Sequence, residues 1–180
     1  MSIFTNRASN SAAEAKEYTA ALLGLIGDRK PMDVLTTTEA GVRRAVEGMS
    51  PADMRKPEAE GKWSVAQVVQ HLADSELVWA WRLRMVLAHE RPPITGYDQD
   101  LWADRLRYDL ADVDESIDQF RVLRSSDLRL LARATDADLK RAGIHAERGE
   151  ESVGHMIDLY AGHDVLHLRQ IARIRGVVTK

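Results

Sequence analysis

The chain has 180 residues and contains no cysteine. Disulfide bonds, thiolate ligands for a metal and a protein thiol nucleophile are therefore all excluded. A secreted scaffold held together by disulfides is excluded for the same reason, and we expect a cytoplasmic protein. Any thiol chemistry would need a thiol from a second substrate.

Long apolar runs are also missing. No stretch approaches the roughly 18 consecutive apolar residues of a membrane-spanning helix, and the N-terminus lacks the apolar segment of a signal peptide. No charge of one sign dominates either, because 25 basic and 28 acidic residues leave a formal net charge of −3. Without a basic block, we expect neither a nucleic acid nor a membrane as partner.

The length and composition are those of one ordinary globular domain. Hydrophobic residues make up 44% of the chain and charged residues 29%, which is typical of soluble folds. A chain of this length buries a core without disulfides or structural metals. We therefore expect a single domain over residues 1–180, with residues 1–10 as a loose N-terminal tail.

Apolar residues recur at helical spacing, and capping signals separate the segments. The predicted helices are, in order, Ser9–Ile26, Asp33–Gly48, a short turn capped by Ser50, a long helix from Ser64 to before Pro92, a helix capped by Asp112, a short one from Thr135, and a last helix from Ser152 to Gly176. Gly143–Glu151 is expected to be a polar loop, and no β-hairpin is predicted. The pattern predicts an all-α fold, a four-helix bundle with a long connection, Arg91–Tyr108, between the second and third main helices.

Two histidines four residues apart, His163 and His167, lie on the last predicted helix. Such positions differ by about 40° in azimuth and about 6 Å in rise, so both imidazoles can reach one cation. His71, on the helix that begins at Ser64, is a candidate third ligand. Three nitrogen ligands and an open fourth position are typical of catalytic metal sites. The alternative is that the histidines have unrelated roles, one solvated and one hydrogen-bonded in the core.

The other histidines are not expected to join this site. His155 lies eight residues before His163, about 12 Å along the helix, and so cannot share its ion. His89 and His145 fall near helix ends or loops, and we expect them to be exposed to solvent.

Three further side chains are candidates for contributing to the site. Asp164 stands where the zinc-protease pattern H-E-x-x-H has its glutamate base, but its place in the apolar stripe equally predicts a structural hydrogen bond. Gln170 lies one heptad beyond His163 and could line the same groove or the surface. Arg82 lies three turns beyond His71, where it could bind an anionic substrate or extend its head to solvent.

Trp79 and Trp81 are about 200° apart on the same predicted helix, so they cannot both face one core. One large aromatic side chain is therefore left for a cleft or for a partner subunit. Asp74 and Glu76 turn away from His71. Glu76 and Asp164 are the nearby carboxylates that could close the site with a fourth ligand, and both are poorly directed for it.

Three segments resemble the DinB/YfiT-like superfamily. They are GKWSVAQVVQHLADS at Gly61–Ser75, PPITGYD at Pro92–Asp98 with Trp102 after it, and GHDVLHLRQI at Gly162–Ile171. The resemblance runs from about Leu22 to Arg175 and is nearest to the YfiT-like branch. Gln70 and Glu76 depart from that branch, in which histidines are frequent at these positions.

The resemblance implies a four-helix bundle, often dimeric, in which three histidines hold a divalent metal ion such as zinc or nickel. Carried over by position, they are His71, His163 and His167. Some members transfer low-molecular-weight thiols such as bacillithiol or mycothiol, or act as thiol-dependent isomerases, and others are described as metal-dependent hydrolases. We therefore expect a homodimeric S-transferase that adds such a thiol to a small electrophilic substrate. The alternatives are a metal-dependent hydrolase and a stress-associated protein with a structural metal.

Overall fold

A computed structural model describes residues 12–179, and the expected tail at residues 1–10 lies outside them. The helices are α1 (Ala12–Ile26), α2 (Pro31–Val46), α3 (Pro51–Arg55), α4 (Val65–Ala88), α5 (Gln99–Arg105), α6 (Val113–Leu131), α7 (Asp136–Leu139) and α8 (Val153–Val178), with a 3-10 turn at Tyr108–Leu110. The strands are β1 (Pro93–Ile94), β2 (Ala142–His145) and β3 (Gly149–Ser152).

Local signals set most helix starts. Ser64 accepts the backbone N–H of Gln67, and the Gln67 side chain accepts the N–H of Ser64, which forms the predicted capping box. The end of α8 is different, because the helix passes the predicted stop at Gly176 and continues to Val178. Val178 is only 5% exposed, and its burial outweighs the cost of about 1 kcal/mol for a helical glycine.

Helices α2, α4, α6 and α8 form the predicted four-helix bundle, and α1 packs against α8. The connection between α4 and α6 is long, as predicted, and carries β1, α5 and the 3-10 turn. None of the helices found within residues 12–179 has both the length and the apolar character needed to cross a membrane.

The expectation of a polar loop at Gly143–Glu151 is wrong. β2 and β3 form an antiparallel hairpin, with Ala142 opposite Ser152, and β1 pairs in parallel with β2. Half of the hairpin's strand residues are polar or charged, so they lack the apolar alternation that marks a strand in sequence. The hairpin is held by its contact with β1 and α4, which the sequence pattern does not show.

The bundle core consists of two apolar clusters, one around Trp79 and one around Ile171. A buried polar layer lies between them along the helices. Each bundle helix contributes one side chain to this layer: Thr38 from α2, Glu76 from α4, Arg124 from α6 and Asp164 from α8. The layer thus ties all four helices together midway along the bundle.

Arg124 is the centre of this layer and binds both carboxylates. Its nitrogens lie 2.7 and 2.8 Å from the two oxygens of Glu76, and 2.6 and 3.2 Å from those of Asp164. Thr38 Oγ1 donates to Asp164 at 2.8 Å. Burial lowers the pKa of Arg124, but the charges of Asp164 and Glu76 outweigh this effect and raise it overall. The three charged groups therefore form one fixed ionic unit.

Gly162 on α8 marks the closest approach to α1. A Cβ atom at this position would lie 2.3 Å from the backbone oxygen of Leu22. Gly162→Ala is therefore expected to lower the free energy of unfolding by about 1–3 kcal/mol, because the backbone of α1 would have to move. Urea denaturation followed by circular dichroism measures this change.

Gly176→Ala is the matched control on the same helix, since a Cβ atom there would have nothing within 4 Å. We expect it to be neutral or to stabilise the protein by up to about 1 kcal/mol through helix propensity. Equal destabilisation by the two substitutions would contradict the proposed steric role of Gly162.

Candidate metal centre

Helices α4 and α8 bring three histidine nitrogens to one point. The Nε2 atoms of His71 and His167 each lie 3.1 Å from Nε2 of His163, and one ligand atom from each ring falls within 4.8 Å of the others. Tetrahedral coordination with bonds of 2.0–2.1 Å places neighbouring nitrogens about 3.3 Å apart. The spacing of the donor set therefore fits a single metal ion.

Hydrogen bonding alone does not account for this convergence. A neutral imidazole nitrogen carries either one proton or one lone pair. Nε2 of His163 can therefore satisfy only one of the two nitrogens that lie 3.1 Å from it. A shared cation would satisfy all three lone pairs at once.

The surroundings also orient the rings. Nδ1 of His167 donates to Oε1 of Gln170 at 2.8 Å, which leaves the Nε2 lone pair directed at the other two histidines. The ring of His71 packs against Trp63, with centroids 5.1 Å apart. Gln170, a candidate from the sequence, thus contacts the Nδ1 side of the His167 ring, opposite the nitrogen that faces the other two histidines.

The three imidazoles are held in their neutral form. Burial lowers the pKa of His167 to about 4. Burial, followed by the neighbouring His167, holds the pKa of His71 and of His163 well below the ordinary value, with His71 contributing to the shift of His163. Neutral imidazole is the form that binds a metal ion, so no proton has to be displaced near neutral pH.

Gln170→Ala is expected to weaken zinc affinity about 10- to 100-fold without changing the stoichiometry, because the hydrogen bond that orients His167 is lost. Competition with a chromogenic chelator measures the affinity. Arg169→Ala, at the exposed neighbouring position, should leave the affinity unchanged. An equal loss of zinc affinity in Arg169→Ala would mean that both substitutions act by perturbing the helix.

Carboxylates near the site are already engaged. Arg124 holds Glu76 and Asp164, and Asp74 accepts a hydrogen bond of 2.6 Å from the Tyr108 hydroxyl. Asp164 therefore makes the structural contacts that were the alternative to a catalytic role. Within residues 12–179, no carboxylate joins the three histidines, so the described chain leaves a fourth position open.

The remaining histidines and tryptophans divide between core and surface. His89 is exposed, as expected. The expectation that His145 is exposed is wrong, because β2 places it in the interior with 2% exposure. Its Nδ1 accepts the backbone N–H of Glu147, and burial lowers its pKa to about 4.

Trp79 is fully buried and Trp81 is 65% exposed, which confirms that only one of them faces the core.

Two of the three histidines, His71 and His163, line a pocket with a volume of about 70 Å³. Arg82, the third predicted candidate, lines the same pocket. Sequence patterns do not assign several other lining residues to the site: Tyr18 and Leu22 from α1, Tyr97 from the long connection, Arg148 from the hairpin turn and Tyr160 from α8. They come from separate elements and have no common spacing, so only the tertiary fold assembles them.

Comparison with known proteins identifies the family: the chain belongs to the DinB superfamily, whose model matches residues 35–171. Its relatives include the Bacillus subtilis protein named "Putative metal-dependent hydrolase YfiT", which is 31% identical over 151 residues, covering 82% of this chain and 85% of that protein. A Geobacillus kaustophilus relative, also named as a "Putative metal-dependent hydrolase", is 30% identical over 166 residues, covering 91% and 85%.

The solved structure of Bacillus subtilis YfiT matches this chain with a TM-score of 0.74 and 28% sequence identity, over 96% of this chain and 94% of that one. That protein is described as a probable metal-dependent hydrolase with an unusual four-helix bundle topology. The likeness covers nearly the whole described fold, including both helices that carry the histidines.

Proposed function

We propose that this protein is a metal-dependent enzyme that transfers a low-molecular-weight thiol to an electrophilic small molecule. The observation that carries the proposal is the convergence of three neutral imidazoles, two of which, His71 and His163, line a pocket, with no fourth ligand in the described chain. A divalent ion such as zinc or nickel bound there would supply a Lewis acid with an open position, which lowers the pKa of a thiol or a water.

The residues around the pocket favour a thiol as the nucleophile. A free thiol has a pKa of about 8.5, whereas water has one of 15.7 and gains most from a neighbouring base. Glu151, the carboxylate that lines the pocket, is paired with Arg148. The chain also has no cysteine of its own, so the thiol would come from a cosubstrate.

In this proposal, the side chains of the protein hold and shield the reactants. His71, His163 and His167 would fix the ion, and Gln170 keeps His167 in the tautomer with a free Nε2. Burial raises the pKa of the Tyr97 and Tyr160 phenols, so both stay protonated. They can donate hydrogen bonds to a substrate without acting as bases.

Hydrolysis by an activated water is the second candidate, and the names of the relatives favour it. In this case the protonated phenols at the pocket are the available donors to a leaving group. The two candidates use the same histidines and differ only in the nucleophile.

The test supplies each nucleophile separately to zinc- or nickel-loaded protein. Cysteine with 1-chloro-2,4-dinitrobenzene monitors S-transfer, in which the thiolate sulfur forms a bond to the ring carbon, chloride leaves and the thiol proton goes to solvent. 4-Nitrophenyl acetate without thiol monitors hydrolysis. We expect thiol transfer that depends on the metal and is absent in His167→Ala.

His155→Ala is the control variant, since it changes a histidine on the same helix outside the cluster. Metal-dependent hydrolysis without thiol transfer would replace the first candidate by the second. Neither activity in protein that carries its metal would overturn both for these substrate classes.

A further inference from the structure

Arg82 is a buried cation that the proposed metal chemistry does not use. Its side chain leaves α4 and lines the same pocket as His71 and His163, yet it is only 8% exposed. One terminal nitrogen donates to the backbone oxygen of Thr95, and the other lies 3.4 Å from the Tyr160 hydroxyl. Its Nε atom is buried and has no partner within the described residues.

The charge of Arg82 is also unpaired in the part of the chain that the structure describes. The buried Arg124 binds two carboxylates and the pocket residue Arg148 binds Glu151, but no carboxylate lies within ion-pair distance of Arg82. Residues 1–11 include no aspartate or glutamate that could reach it. A buried charge without a counter-ion is costly, so such a residue is typical of a site that receives an anion.

Tyr160 connects this cation to the histidine cluster. Its hydroxyl lies 3.4 Å from Arg82, and its ring centroid lies 6.1 Å from that of His163. Tyr160 therefore lies next to both Arg82 and His163 in the lining of one pocket. A small molecule bound in this pocket would lie close to both the cation and the histidines.

We propose that Arg82 binds a carboxylate group of the small molecule that enters this pocket. The single uncompensated positive charge matches the single negative charge of one carboxylate group, and the planar guanidinium fork matches its two oxygens. The proposal rests on the proposed function in assigning the pocket to a substrate, and it narrows the substrate class to small carboxylates.

The test measures binding directly, by isothermal titration calorimetry of succinate into chelator-treated protein, so that carboxylate binding to a metal does not contribute. Succinamide serves as the neutral analogue and inorganic phosphate as the alternative anion. We expect wild type to bind succinate more tightly than either. Arg82→Gln should weaken succinate binding about 10- to 100-fold, which is the usual effect of losing a charge-assisted pair.

Arg129→Gln is the matched control, because it removes the same charge from an exposed position on α6; its succinate affinity should equal that of wild type. Arg82→Lys keeps the charge but not the fork, so we expect an intermediate affinity, and this variant substitutes for Arg82→Gln if the latter does not fold. The comparison of succinate with succinamide in wild type needs no variant.

Several outcomes would overturn the proposal. These are succinate binding in Arg82→Gln within twofold of wild type, equal binding of succinate and succinamide, tighter binding of phosphate, or no saturable succinate binding to wild type. Zinc uptake, measured on separate samples of the same proteins after reconstitution, separates this result from the proposed function. Succinate binding that depends on Arg82 in a protein that takes up no metal would support the subsite and overturn the metal-dependent activity.

Discussion

Alanine at His71, His163 or His167 is expected to reduce bound zinc or nickel from about one ion per chain to background, because each histidine would supply one of the three ligands that the described residues offer. The Nε2 atoms lie 3.1 Å apart in two of the three pairs, so no other side chain can take the place of a missing ring without rearrangement. Elemental analysis by mass spectrometry, after reconstitution and gel filtration, measures the stoichiometry.

Two other histidines provide the controls for this experiment. His155→Ala changes the same helix, and His89→Ala changes the end of α4; both should retain the wild-type metal content. Far-UV circular dichroism should show unchanged helicity in all five variants. Wild-type protein without metal after reconstitution, or any cluster variant that keeps a full equivalent, would contradict the three-histidine site.

Arg124→Met is expected to lower the free energy of unfolding by about 3–5 kcal/mol at neutral pH, because it leaves the carboxylates of Glu76 and Asp164 buried without their cation. Both carboxylates are 1% exposed, so water cannot replace the lost partner. The measurement is urea denaturation near pH 8. Arg121→Met, at an exposed position on the same helix, should change the stability by less than about 0.5 kcal/mol.

The loss in Arg124→Met should also depend on pH. Burial already raises the pKa of Glu76 and Arg124 opposes that rise, so removing Arg124 raises it further. A carboxyl group whose folded pKa exceeds its unfolded value stabilises the fold at low pH and loses this contribution as pH rises through the folded value. The destabilisation should therefore be smaller near about pH 5 than near about pH 8. A loss that grows on acidification would contradict this account.

The histidine cluster and the ionic layer around Arg124 occupy neighbouring parts of α4 and α8. Asp164 directly follows His163 on α8, and Glu76 lies on α4 five residues after His71. The ionic layer thus fixes α4 against α8 next to the place where they present the histidines. Although Glu76 and Asp164 lie close in sequence to the three histidines, both bind Arg124 and serve the fold, and no carboxylate within residues 12–179 joins the cluster.

The local features of this protein were determined by the sequence itself. Capping residues such as Ser64 and Ser152 set helix starts because their side chains bond to backbone groups only three residues away. The spacing of His163 and His167 placed both on one face, because the pitch of a helix is fixed. The helical pattern also predicted the bundle and made His71 a candidate third ligand, and the family motifs pointed to the same residue. Bringing His71 close to the other two histidines depended on the fold.

The remaining features were decided by tertiary structure. The β2–β3 hairpin and the burial of His145 depend on β1 and α4, which lie far away in sequence. Arg124 was not singled out beforehand, because a buried arginine and a surface arginine look alike in a helical pattern. Arg82 is buried like Arg124, but it has no carboxylate partner within residues 12–179. That difference depends on which groups the fold brings within about 4 Å, since charge pairing acts through space and not along the chain.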